Sequence, residues 1–347
     1  MRSRGIIAII FFITLGFLAF SYSSESGGEK PGRLYPVIMN GKFGFIDKNG
    51  KIVIEPQFEK AFLSFSKEPA PVKMGGKWGY IDRKGNFLIE PKFDDANWFC
   101  EDLANVEIDK KCGFIGKSGK MVIEPKFDCD DVRFFSEGLA AVKIVEKWGF
   151  LEKKGNVAIK PQFDDAHNFT EGLAAVKINN KWGYIDKNGN MIIKPKFDSA
   201  YPFTEGLAAI RIGSLRYGKY GFIDKTGKLI VRPKFKFASE FFDGLAAVAV
   251  EKSFSFEWKF GFIDKTGEFI IKPEFLIATE FSDGLSAVVR KSGEKWGCID
   301  KTGKMVIEQK FDYPFYFVEG LAKIDVRGKV GFGYIDKTGK YIWELTK

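Results

Sequence analysis

Histidine is almost missing from this chain: His167 is the only one in 347 residues, and it sits in a variable loop between repeated segments, where surface or loop packing is its expected role. No run of lysine and arginine marks a nucleic-acid site, because the 54 basic and 45 acidic residues are interspersed. The net charge of +9 falls to +7 if Arg2 and Arg4 leave with a leader, a mild bias that favours solubility. Four cysteines, Cys100, Cys112, Cys129 and Cys298, fit neither a metal-ligand spacing nor a repeated disulfide framework. An apolar run long enough to span a bilayer is also lacking, since the longest, Ile6 to Phe20, has about 15 residues where roughly 20 are needed.

That run has the character of a targeting segment. Arg2 and Arg4 precede it, and the small polar stretch Ser21, Tyr22, Ser23, Ser24 follows. Residues 1–23 are therefore expected to be a signal peptide and 24–32 a linker, with an uncleaved N-terminal anchor as the alternative. No cysteine follows the apolar run, so a lipid-modified N-terminus finds no support. The expected destination is the periplasm, the cell surface or the medium.

What the chain has in abundance is periodicity. An aromatic–glycine pair recurs nine times, with its glycine at 44, 79, 113, 149, 183, 221, 261, 297 and 333. Eight of the nine preceding residues are aromatic, Cys112 being the exception. A second glycine follows each pair, usually as Asp-Lys-x-Gly, and this suits a type I turn in which Asp caps the backbone and Gly takes positive φ. The turn joins a strand such as Trp182 to Asp186 to a second such as Met191 to Phe197, where Pro195 and its equivalents end the strand or remove a ladder donor. A third strand, Leu-Ala-Ala-Val-x-Ile as in Leu173 to Ile178, is entered through Glu-Gly or Asp-Gly.

The unit is thus a three-stranded antiparallel meander, and nine of them fit between 33 and 347 as one repeat domain. Both faces carry apolar residues, so each unit must cover its neighbour. An all-β, open β-solenoid or superhelix is expected, because no strand at one terminus is needed to complete a unit at the other; a closed propeller-like ring is the alternative.

The pattern Lys-Trp-Gly-[Phe/Tyr]-Ile-Asp-Lys-x-Gly-Lys, followed by Pro-x-Phe-Asp and Glu-Gly-Leu-Ala-Ala-Val, resembles the WG-repeat (KWG) family of bacterial proteins over nearly the whole chain after the leader. Cys112-Gly113 with Gly116, and Gln309 in place of the proline, depart from it. The resemblance implies all-β repeats, frequently exported, with no shared catalytic residue set.

No singular constellation of reactive groups stands out from the repeat background, so no enzyme activity, cofactor or metal is expected. The recurring aspartates, among them Asp47, Asp186 and Asp300, belong to turns. Asp186-Lys-Asn-Gly-Asn has its glycine too early for a calcium loop. Trp78, Trp148, Trp182 and Trp296 form a candidate sugar-stacking row, but Phe and Tyr replace them freely, which favours core packing. Lysine rows before the Trp and after the Asp are read as solvated sheet edges rather than an anion track. Cys112 and Cys298 replace repeat residues and are read as buried thiols, whereas Cys100 and Cys129 lie in adjacent loops where a disulfide stays open.

One departure remains. From Val or Ile to the aromatic the hairpin takes six positions in the first five units, then ten, twelve, eight and eight. Insertions collect on one face of an array, often the binding face. Arg216, Tyr217, Phe254, Phe256 and Trp258 are therefore the candidate ligand-binding residues. The expected partner is a protein, with an envelope polysaccharide as the alternative; nucleic acid is not expected, and a membrane only through an uncleaved N-terminal segment.

Overall fold

The computed structural model describes residues 32–62, 68–251, 257–328 and 331–344. The leader expected over 1–23, most of the linker, and Phe254 and Phe256 lie outside the described residues. No helix among the described residues is long and apolar enough to cross a membrane.

The described residues form nine sheets, numbered in chain order as blades 1 to 9 from Tyr35–Phe58 to Leu321–Trp343, and blade 5 shows how the sequence builds each of them. Leu173–Ile178 pairs antiparallel with Lys181–Asp186, which pairs with Met191–Phe197. The first two strands are buried on both faces over Leu173 to Val176 and Trp182 to Ile185, as expected of strands sandwiched between neighbours. In the third strand Ile193 and Phe197 are buried while Met191 and Ile192 are exposed, which makes it the solvent edge. The Asp-x-x-Gly turn forms as its chemistry dictates: Asn188 and Asn190 donate backbone N–H groups to Asp186 Oδ1 at 2.9 and 2.8 Å, and Gly189 has φ +82°.

A two-residue strand, Asp165–Ala166, adds to the opposite edge by pairing with Lys177 and Val176. Among the described residues six sheets are four-stranded for this reason, a seventh gains Phe317–Val318, paired to the start of its next strand, and two have three strands, so the expectation of a plain three-stranded unit is corrected. The extra strand was hidden because two residues are too few to show a period. In blade 4 the isolated bridge Val132 to Val142 takes its place.

The aromatic–glycine pair has a backbone cause. In blade 4 Trp148 pairs with Phe163 and Phe150 with Ile159, so Gly149 alone opposes the bulged residues Lys160, Pro161 and Gln162. A Cβ on Gly149 would lie 2.6 Å from the Ile159 carbonyl oxygen and 2.7 Å from the Pro161 nitrogen. Only glycine lets the bulge close down, and the proline sits where no ladder donor is needed. Blade 8 keeps the same register shift with Gln309 in that position.

The core lies between blades. One cluster joins Leu139, Ala141, Trp148, Phe150, Ile159 and Phe163 of blade 4 to Ala174, Val176 and Ile185 of blade 5. Small alanines let the sheets approach closely. Equivalent clusters fill every interface, and the ninth joins Leu321, Phe332 and Tyr334 of the last blade to Tyr35, Val37 and Ile46 of the first.

That ninth cluster overturns the open solenoid. The sheets form a closed nine-bladed β-propeller. Closure needs no shared strand, because the last interface repeats the chemistry of the others: a Cβ at Gly50 would meet Ile342 of blade 9, as one at Gly85 would meet Ile54 of blade 1. The absence of an interlocking strand therefore did not decide the architecture.

A second series of links runs from blade to blade. Glu137 accepts the backbone N–H of Gly172 at 3.0 Å and meets Lys187 Nζ at 3.1 Å, both in the next blade. Glu171 repeats this with Gly206 and Lys225, and Glu205 with Gly244 and Lys265. At the closure Arg33 stands where these glycines would be, and its guanidinium lies 3.6 Å from Glu319.

Candidate functional site

Most groups that recur in every blade are consumed by structure. Trp78, Trp148, Trp182 and Trp296 are each 6–8% exposed, so they pack the core. The lysines before them are ion-paired within their own blade, as Lys181 with Asp198 at 2.7 Å, and several after the turn aspartates are tied to the preceding blade. They are neither an anion track nor merely solvated edges.

Individuality is concentrated in the connection that follows the two-residue strand. Its second position holds Trp98, Phe134, Asn168, Pro202, Glu240 and Glu280 in blades 3 to 8. These connections lie at the sheet edge opposite the exposed third strands, and successive ones touch: Arg133 Nε donates to Ala166 O at 3.1 Å, and Ser136 Oγ to Phe169 O at 2.7 Å. They therefore line the inner circumference of the ring.

A cavity of about 350 Å³ opens there, and it reaches three successive connections, through Trp98, through Arg133 and Phe134, and through His167 and Asn168. Its floor is the face of blade 3, with Asn105, Glu107, Cys112 and Phe114. The cause can be read by comparing blades. In blade 2 Phe62 packs, tilted, against Trp78 at 5.3 Å, in blade 4 the Arg133 guanidinium covers Trp148 at 4.8 Å, and in blade 5 His167 packs, tilted, against Trp182 at 4.9 Å. Blade 3 has Cys112 where those blades have tryptophan, and the volume of the missing indole is left as the cavity.

Cys112 is not the buried thiol that its position suggested. It is bonded to Cys129, 17 residues on, with the Cα atoms 5.0 Å apart. Cys100 is half-buried and not bonded to Cys129, which corrects the open pairing between them; Cys298 is a buried thiol, as expected, and burial pushes its pKa up to about 12. Glu107 and the two bonded sulfurs lie within 4.8 Å of one another. With both sulfurs oxidised that group offers one carboxylate, which does not make a metal site.

The cavity is rich in hydrogen-bonding groups. Asn168 is 9% exposed and its Oδ1 has no hydrogen-bond partner among the described residues. Asp95 uses one oxygen to accept from the backbone N–H of Ala96 at 2.9 Å. His167 is held neutral, since burial and then the Arg133 charge bring its pKa down to about 4. Trp98, edge-on to Phe62 at 5.3 Å, remains 38% exposed.

Further round the ring, Glu280 is 7% exposed with Oε2 unpartnered among the described residues. Burial raises its pKa to about 7, and burial together with the Glu280 charge raises that of Glu240 to about 8.

The residues singled out from sequence lie elsewhere. Arg216 and Tyr217 sit at the tip of the blade 6 hairpin, where Tyr217 is 71% exposed and the Arg216 guanidinium lies 5.4 Å from its ring. Trp258 begins the second strand of blade 7 opposite Glu251 and packs, half-buried, against the core cluster of that blade. The cavity residues were missed although blade 3 carried a signal: Asn105, Glu107 and Cys112 stand where blade 5 has Ala175, Lys177 and Trp182.

The model of the WG-containing repeat matches eight consecutive segments, 43–78, 78–112, 113–148, 148–182, 182–215, 220–252, 260–294 and 296–329. The chain belongs to the WG-containing repeat family. Each matched segment runs approximately from one aromatic–glycine pair to the next, so nine pairs delimit eight segments while the WG-repeat ring itself has nine blades. No curated protein matches the sequence. Among solved structures, the WG-repeat chain is similar to that of the eukaryotic initiation factor, with a TM-score of 0.62 at 10% identity over 89% of this chain and 94% of that one. BamB from Moraxella catarrhalis gives a TM-score of 0.43 at 10% identity over 90% and 96% of the two chains. Hsv2p of Kluyveromyces lactis gives 0.41 at 12% identity over 66% and 88%. At such identities the likeness concerns the fold alone.

Proposed function

We propose that this WG-repeat propeller is an exported, non-catalytic binding scaffold that engages a protein partner through the elongated hairpins of blades 6 and 7. The observation that carries the reading is the hairpin tip at 213–218, where Leu215 and Tyr217 are 82% and 71% exposed beside Arg216. Apolar and aromatic side chains next to an arginine, held out on a rigid sheet, are the composition of an interaction hot spot. Phe254 and Phe256 belong by sequence to the next hairpin along the ring and are included in this reading, whereas Trp258, packed against the core, anchors that hairpin. A non-catalytic role is supported by the fate of the repeated acidic groups, which cap turns or link blades.

The test shortens 213–218 and 252–257 to two-residue turns like Asn179-Asn180, and cross-links native and shortened chains in their producing cells. A protein joined through the native tip and lost from the shortened chain, at unchanged melting temperature, is the expected result. Identical cross-links from both chains overturn the reading, as does turnover of an envelope substrate abolished by one point change. A mature N-terminus near residue 24, found by sequencing the fractionated protein, tests the export. The second reading, an envelope polysaccharide ligand, is favoured by the cavity at blade 3.

A further inference from the structure

We propose that the cavity between blades 3 and 4 is a binding site for a neutral sugar, distinct from the hairpin surface and independent of it. Three features of the cavity converge on that class. The first is space with a defined origin. Where blades 2, 4, 5 and 8 carry a tryptophan, blade 3 carries Cys112, drawn aside into a disulfide with Cys129, and about 350 Å³ stays open at the inner edge. That volume is at the lower end of small-ligand pockets, about 300–1,000 Å³.

The second feature is the polar lining. Asn105 and Asn168 offer amides, each both donor and acceptor, and Glu107 adds a carboxylate where blades 2, 4 and 5 have lysine. Asn168 Oδ1 is buried without a partner among the described residues, so its amide has to turn toward the cavity to accept a hydroxyl, and nothing it now holds opposes that turn. A sugar hydroxyl supplies a donor and accepts in return, so vicinal hydroxyls match paired amide and carboxylate groups.

The third feature is the aromatic wall. Trp98 and Phe134, one from each connection, border the cavity, and Trp98 is 38% exposed. An aromatic face beside amides binds a ring that is apolar on one side and hydroxylated at its edge. A cationic side chain from a peptide is the competing occupant. Asp95 and Glu107 would attract it and the Arg133 guanidinium, held over Trp148 and 3.8 Å from Asp165, would oppose it, so the choice of a neutral ligand rests on the amides and the aromatic wall, and the arginine probe below tests it.

The experiment records saturation-transfer NMR on the full chain with glucose, galactose, mannose, N-acetylglucosamine and their disaccharides, and with N-acetyl-arginine amide as the peptide probe. At least one sugar is expected to receive saturation. The double substitution Cys112→Trp with Cys129→Ser restores the residue of the neighbouring blades and should abolish that transfer. Trp98→Ala, at a partly exposed position that does not threaten folding, should weaken the sugar at least tenfold. No transfer to any sugar overturns the proposal, as does transfer that survives refilling of the cavity, or transfer to the arginine probe alone. Shortening of the hairpins leaves sugar binding unchanged, so this site and the hairpin surface fail or stand separately.

Discussion

The hydroxyl of Tyr35, in the first blade, lies 3.1 Å from the carbonyl oxygen of Val318, 283 residues away in the last, and equally close to that of Glu319. Tyr35 stands where blades 4 to 7 carry an alanine, and its ring meets Tyr334 edge-on at 5.4 Å. One side chain therefore bridges the seam of the ring. Tyr35→Phe should cost about 1 kcal/mol, the worth of an ordinary hydrogen bond. Tyr35→Ala should cost about 3–5 kcal/mol, as for other large aromatic truncations. Because the ring is closed, the lesion should also be felt at the other end of the chain. Hydrogen exchange in Leu321–Asp325 should accelerate in Tyr35→Ala; unchanged protection there would mean that the ends do not support each other.

Gly149 and Gly172 make a matched pair for a second prediction. A Cβ at Gly149 would be driven into the backbone of Ile159 and Pro161, which cannot move without opening the bulge. At Gly172 φ is +88° but nothing lies within 4 Å. Gly172→Ala should therefore cost about 1 kcal/mol, the backbone penalty alone. Gly149→Ala should cost at least about 3 kcal/mol, in the class of severe steric lesions. Urea titration of the two variants checks the order, and equal losses would refute the bulge account.

The turn, the buried tryptophans and the alanine faces were legible because each depends on neighbours within one repeat and returns in several or all of the nine units. Ring closure was not legible in that way. It depends on the blade-to-blade rotation summed round the circle, and on contacts such as Tyr35 with Val318 that no local pattern records. The Cys112–Cys129 bond escaped because Cys112 was weighed only as a substitute for an aromatic. The register places Cys112 opposite Phe127, two residues before Cys129, so the two thiols sit side by side across the strand pair. The cavity shared that fate: Asn105 and Glu107 are unremarkable singly, and their meaning appears when the missing indole leaves space above them.

The disulfide closes a loop of 17 residues and should stabilise blade 3 by about 3 kcal/mol in the chain-entropy account. Cys129→Ser should lower the denaturation midpoint accordingly, and a reducing agent should act on the native chain but not on the variant. Thiol labelling of the folded native protein should modify half-buried Cys100 first and buried Cys298 slowly, while Cys112 and Cys129 stay unmodified until reduction. Rapid modification of Cys112 or Cys129 without reductant would contradict the bond.

Glu280 provides the pH dependence. Burial raises its pKa to about 7 in the folded chain from 4.5, and the neighbouring Glu240, at about 8, is raised by burial and by the charge on Glu280. A carboxyl with a folded pKa above the unfolded one binds its proton more tightly when folded. Its contribution is therefore fully present below about pH 4.5 and is lost as the pH rises through about 7, because the unfolded chain ionises freely while the folded one must bury the charge. Glu280→Gln removes that penalty and also relieves Glu240. At pH 8 the variant should be more stable than the native chain by on the order of 2–3 kcal/mol, while at pH 4.5 the two should melt together. Thermal melts at the two pH values decide the matter. A variant equally stabilised at both would show that the gain comes from packing, and one destabilised at pH 8 would show that the ionised carboxylate has a partner holding it in the ring.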